Sequence, residues 1–181
     1  MKCAPTNRIS AKRSCSGMSL LELMVAGAIA MLVLTAIASI SLYSARSFVA
    51  MGNYADLDQA SRNALDVMSR EIRQTKALNS FSPSKLVFQE SSSNTLTYVY
   101  DSTARTLTRQ RGGINTVLLK QCDFLNFNIS QRNPSNAFTF YPATTPAVAK
   151  LIDVSWRCSR EILGAKVNTE SVQTAKIVIR N

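Results

Sequence analysis

From Leu23 to Ala45 the chain runs for 23 residues without a charged side chain. At about 1.5 Å per residue this makes about 35 Å of helix, enough to cross the hydrocarbon core of a bilayer. A chain of 181 residues then has room for one such span and one modest globular domain. A single carboxylate, Glu22, stands at the head of the run. An ionised group at that depth costs a few kcal/mol or more, so it marks a functional position. Lys2, Arg8, Lys12 and Arg13 precede the span with no acid among them, while Arg46, Asp56 and Asp58 follow it. This asymmetry predicts a cytoplasmic N-terminus and a domain on the other side of the membrane.

Three ordinary N-terminal signals fit poorly or incompletely. A secretory signal has an apolar core of about 7–15 residues before its cleavage site, shorter than this one. A lipoprotein signal needs an apolar stretch before its cysteine, whereas Cys15 follows Ala11-Lys12-Arg13-Ser14. An uncleaved signal anchor accounts for the span and its orientation but leaves Glu22 without a role. The string Lys12-Arg13-Ser14-Cys15-Ser16-Gly17-Met18-Ser19-Leu20-Leu21-Glu22-Leu23 resembles the N-terminus of type IV prepilins and type II secretion pseudopilins. The resemblance implies a leader over residues 1–17, cleavage between Gly17 and Met18 by a prepilin peptidase, and methylation of Met18. It makes Glu22 the fifth residue of the mature chain and an assembly residue. The implied partners are other pilins or pseudopilins and an inner-membrane assembly platform. The implied location is the inner membrane with a periplasmic C-terminal domain, and then the filament.

Cleavage has an electrostatic consequence. The Met18 nitrogen is a neutral peptide before the cut; afterwards it is an amine with an ordinary pKa near 8, mostly cationic at neutral pH. A carboxylate in low dielectric gains a partner, and the attraction is far stronger there than in water. Two ammonium groups are candidates: that of Met18 on the same chain, four residues away on one helical face, or that of a neighbouring subunit, which is the family's picture.

The formal charge of +10 includes the four basic residues of the leader, so about +6 remains without it. Cys3 and Cys15 belong to the leader, leaving Cys122 and Cys158. An even number of cysteines in an oxidising compartment makes them a candidate disulfide. Two buried free thiols on adjacent strands is the other reading.

Between Met18 and Leu78 there is no proline. After the span, Tyr54, Leu57, Leu65, Met68 and Ile72 fall near one stripe, with Asp58, Arg62, Asp66 and Arg70 following at i,i+4 on another. The spacing predicts an assembly helix over 18–45 and an amphipathic continuation over 46–80, ended by Asn79, Ser80 and Pro83. From Lys85 the period drops to two. Short alternating runs at Leu86–Phe88, Thr95–Tyr100, Thr106–Arg109 and Thr116–Leu119 are separated by turn residues including Gly112-Gly113, and predict an antiparallel meander. Leu125-x-Phe127-x-Ile129, a short run at Phe138–Tyr141, Ile152-x-Val154-x-Trp156 and Ala175-x-Ile177-x-Ile179 supply further strands. The expected fold is α+β, pilin-like, with a long helix packed on an antiparallel sheet in a β-rich domain over 81–181. Leu96-Thr97-Tyr98, Asp101, Leu107-Thr108-Arg109, Leu118-Leu119, Leu125-Asn126-Phe127 and the ending Ile179-Arg180-Asn181 resemble minor pilins of the PilW kind and J-type minor pseudopilins. That resemblance implies a structural subunit acting in initiation or at the filament tip.

The chain contains no histidine, the commonest general base and metal ligand. Asp101, Asp123 and Asp153 stand singly, without the spacing of a catalytic carboxylate pair, and no phosphate-binding loop is present. The expectation is a non-enzyme with no cofactor and no metal. Arg105, Arg109 and Arg111, with Lys120, lie near Tyr98 and Tyr100 in the meander. Basic residues among aromatics are a candidate ligand site for a binding module at a filament tip, taking DNA weakly during uptake or adhering to a surface; a solvated sheet face accounts for them more simply.

Overall fold

The computed structural model describes residues 17–91, 94–135, 139–161 and 170–179. The leader residues 1–16 lie outside the described residues, as do Phe138 of the expected Phe138–Tyr141 strand and the terminal Arg180 and Asn181. The chain divides into two compact units, Met1–Ser44 and Ala45–Asn181. The protein is α+β; the described residues form one α-helix, α1 (Leu20–Gln74), a short 3-10 helix (Pro146–Val148) and nine strands in two antiparallel sheets. By length and composition α1 is a candidate membrane span, and the side chains of its most apolar window are exposed.

Within the second unit, α1 buries Leu57, Ser61, Ala64, Met68, Glu71 and Ile72. Their spacing of three and four residues is the repeat of a helix lying on a surface. Leu57, Met68 and Ile72 belong to the expected stripe, and Leu65 packs at its edge. Tyr54 is half exposed, because Ser61 and Ala64 rather than Tyr54 continue the stripe.

The helix ends earlier than the expected residue 80. The Thr75 hydroxyl donates to the Ile72 carbonyl at 2.7 Å, and the Lys76 amide donates to the Gln89 carbonyl at 2.8 Å. The first bond closes the last turn and the second hands the backbone to a sheet, so Ala77–Ser82 is a strand.

That strand, β1, opens a five-stranded meander with β2 (Lys85–Gln89), β3 (Thr95–Asp101), β4 (Thr106–Arg111) and β5 (Ile114–Leu119), paired in chain order. Gly112 and Gly113, at φ 56° and 80°, form the two-residue turn between β4 and β5 that demands positive φ at both positions.

A second sheet, in the order β7-β6-β8-β9, contains β6 (Cys122–Arg132), β7 (Phe140–Pro142), β8 (Ala149–Ser159) and β9 (Glu170–Val178). The single sheet expected from sequence is thus two. Gln121 at φ 58° turns the chain out of the meander, and β6 pairs with β8 over nine registered positions instead of with β5. The Phe127 amide donating to the Pro83 carbonyl and the Cys122 amide donating to the Arg105 carbonyl, both at 2.9 Å, tie the two sheets together.

The core is formed by the helix stripe with Leu86, Phe88, Leu96, Tyr98 and Leu107 from the first sheet and Phe127, Ile152, Val154, Trp156 and Ile177 from the second. Trp156 is buried, as its alternation with Ile152 and Val154 predicts, and its indole N–H donates to Ser61 Oγ at 3.2 Å. A buried indole has to find such an acceptor.

Candidate functional site

The first turn of α1 is built around Glu22. The Ser19 amide donates to Glu22 Oε2 at 3.1 Å, and the Glu22 amide donates to Ser19 Oγ at 3.2 Å. This is a reciprocal capping box, in which Ser19 is the N-cap and Glu22 the third helical residue. It satisfies two amides that a helix start otherwise leaves without partners, which matters most where no water can replace them. The carboxylate also stands at the positive end of the helix dipole. The Ser-x-x-Glu spacing is a sequence signal for this cap, and the reading from charge alone passed over it. A carboxylate has about four lone-pair positions; one bond to its own backbone leaves capacity for a cation.

Met18 is exposed, as are Leu20, Leu21, Leu23 and Met24 around Glu22. Further along, Thr35 donates to the carbonyls of Met31 and Leu32, and Ser39 donates to that of Thr35. These two hydroxyls of the apolar run are therefore satisfied within the helix.

The three arginines named as a ligand site are engaged elsewhere. Arg109 Nε donates to Glu71 Oε2 at 2.8 Å, and Arg109 Nη2 to Glu71 Oε1 at 2.5 Å. Tyr98 Oη donates to the same carboxylate at 2.8 Å, and Arg111 Nη1 approaches it at 3.3 Å. Arg111 also forms a two-point pair with Glu90. Burial pushes the Glu71 carboxyl up, but the bonds from Arg109 and Tyr98 and the charges of Arg109 and Arg111 outweigh it, and the pKa falls below its ordinary value. Burial, then the bond to Glu71, raises that of Tyr98. Arg105 is paired with Asp123 and donates to the Ser159 carbonyl at 3.1 Å. Sequence reasoning missed Glu71 and Glu90, and named Asp123 only as a lone carboxylate, although these acids hold the three arginines; Glu71 shows itself only as a carboxylate inside an apolar stripe.

Cys122 and Cys158 occupy facing positions on β6 and β8. The Ser159 amide donates to the Gln121 carbonyl at 3.0 Å, so the cysteines form a non-hydrogen-bonded rung, the kind that brings Cα atoms to about 4.5 Å. Both are free thiols and both are buried; the disulfide named as a candidate from sequence is not formed in the structure. Cys122 Sγ donates to the Phe124 carbonyl at 3.2 Å. Contact with the Cys158 thiol, and then burial, push the Cys122 thiol well above its ordinary pKa.

Among the described residues no group of three or more Cys, Asp or Glu side chains is placed to hold a metal ion. Comparison with protein-family models, curated proteins and solved structures finds no match.

Proposed function

We propose that this chain is a structural subunit of a filament rooted in the bacterial inner membrane, a minor pilin or minor pseudopilin acting in initiation or at the tip. The observation that carries the reading is Glu22, capped on Ser19 at the head of the exposed, uncharged run Leu23–Ala45 of α1. The α+β domain that follows supports it. So does the ion pairing of Arg105, Arg109 and Arg111, which leaves the rival reading, a tip module gripping DNA or a surface, without the residues it was built on.

In this reading the prepilin peptidase cuts after Gly17 and the new Met18 terminus is methylated. The resulting ammonium gives Glu22 a counter-charge. Pairing offsets the cost of placing the carboxylate in the bilayer, so the helix docks among other pilin helices only after processing. The domain from Ala45 onward meets its neighbours in the periplasm, where Cys122 and Cys158 close into a disulfide. The work of the protein is assembly, without catalysis.

Intact-mass measurement of the chain extracted from membranes tests this directly. The expected mass lacks Met1–Gly17 and carries one additional methyl group. A chain that keeps its first 17 residues in cells possessing the peptidase overturns the reading.

A further inference from the structure

The two sheets end in the edge strands β1, β5, β7 and β9. Pro146–Val148 lies beside β1, β7 is three residues long and ends in Pro142, and a register shift at Leu118 interrupts β5. β9 runs on for nine residues without proline or register shift. Among the described residues no strand lies on its outer side. A free edge of this kind is a template for a further strand.

The ladder with β8 fixes which backbone groups are free. The Ile179 amide donates to the Lys150 carbonyl at 3.0 Å, and at intervals of two Ile177, Ala175, Gln173 and Ser171 also turn their backbone groups toward β8. Those of Glu170, Val172, Thr174 and Lys176 therefore point away from the sheet. The side chains of the same residues are exposed.

Charge selects the partner and the register. Glu170 and Lys176, of opposite sign, lie at equal distances to either side of Gln173. When a second β9 runs antiparallel with Gln173 facing its own copy, Glu170 meets Lys176 of the other chain at both ends, and Val172 meets Thr174. Each of these pairs joins residues whose backbone groups point outward, so each exchanges two hydrogen bonds. Opposite charges facing each other across strands stabilise the pairing, and like charges oppose it. Moving the two-fold axis to Val172 or Thr174 sets Glu170 against Thr174 or Val178 and breaks both charge pairs.

We propose that the outer edge of β9 docks a second copy of this chain, the two β9 strands pairing antiparallel about Gln173 so that two four-stranded sheets become one. The same patch serves on both chains, which closes the assembly as a two-fold dimer. The proposal rests on the edge of β9 alone and is independent of the filament reading.

The test is disulfide trapping of the full chain in cells that express it, with one cysteine added as Gln173→Cys. In the proposed dimer this residue faces its copy across a non-hydrogen-bonded rung, with Cα atoms about 4.5 Å apart, within reach of a bridge. Mild oxidation should give a covalent dimer on non-reducing gels, whereas Thr116→Cys, exposed on β5, should give only collisional background. Added to Gln173→Cys, Glu170→Lys alone or Lys176→Glu alone sets like charges opposite one another and should lower the dimer yield at least about tenfold. Co-expressing those two variants rebuilds both opposite-charge pairs in the mixed dimer and should restore the yield, which misfolded chains could not do. No dimer from Gln173→Cys, a cross-link to a different protein in its place, or yields indifferent to the charge reversals overturns the proposal.

Discussion

The Glu71 carboxylate on α1 accepts a two-point hydrogen-bonded ion pair from the Arg109 guanidinium on β4, with Tyr98 of β3 donating to the same group. Three elements thus converge on one carboxylate whose side chain is only 8% exposed. Removing one partner of such a pair leaves a buried charge short of its counter-ion, which costs about 3–5 kcal/mol. Arg111 stays near Glu71, so Arg109→Ala should fall at the lower end, about 3 kcal/mol. Trp156 is the chain's one tryptophan and is buried in the core. Thermal or urea unfolding followed by its fluorescence measures the loss.

The same carboxylate predicts a pH response. Its folded pKa lies below its ordinary value, so the stability it contributes is fully present above the unfolded pKa of about 4.3. That stability is lost as pH falls through the folded value. Wild-type stability should therefore decline on acidification below about pH 4.5, and Glu71→Gln should flatten that slope while lowering stability at neutral pH. Urea midpoints measured from pH 7 down to about pH 3 give both slopes.

Ser19 and Glu22 separate two roles of the helix start. Ser19→Ala removes a cap worth about 1 kcal/mol but keeps the carboxylate, so incorporation into sheared filaments should persist. Glu22→Ala should be cleaved normally yet be missing from the filament fraction on immunoblots. Equal incorporation of the two variants would remove Glu22 from its assigned role.

For the cysteine rung, the proposed periplasmic location predicts that protein extracted from cells shows no reactive thiol at Cys122 or Cys158 after denaturation in a trapping reagent. Reduction should then restore both. A bridge across the 36-residue separation contributes on the order of 4 kcal/mol in the chain-entropy model. The reduced form should accordingly unfold at lower urea than the oxidised form.

Much of this architecture was legible because two periodicities dominate the chain. The apolar run and the later i,i+4 pattern announce α1, and alternation at Leu86–Phe88, Thr95–Tyr100 and Ile152–Trp156 announces strands. β1 was hidden because Ala77–Ser82 is short and half polar, without strict alternation; only its pairing with β2 makes it a strand. The division into two sheets was hidden as well, since Lys120-Gln121 reads as any polar turn, while the preference of β6 for β8 is a long-range choice. At the candidate site the lone acid heading an apolar run was conspicuous and its Ser19 cap was not. Arginines stood out as a cluster, whereas the buried acids that neutralise them sit far off in sequence.

The meander has one more consequence. Its spatial order, β1 through β5, is also its order along the chain, so every pairing is between immediate neighbours and loop-closure entropy stays small. For a polypeptide threaded out of a membrane starting from its N-terminal end, each new strand would find its hydrogen-bonding mate already waiting. The second sheet, which must skip over β7 to join β6 with β8, would be the part that lags and needs protection from premature aggregation while translocation is completed.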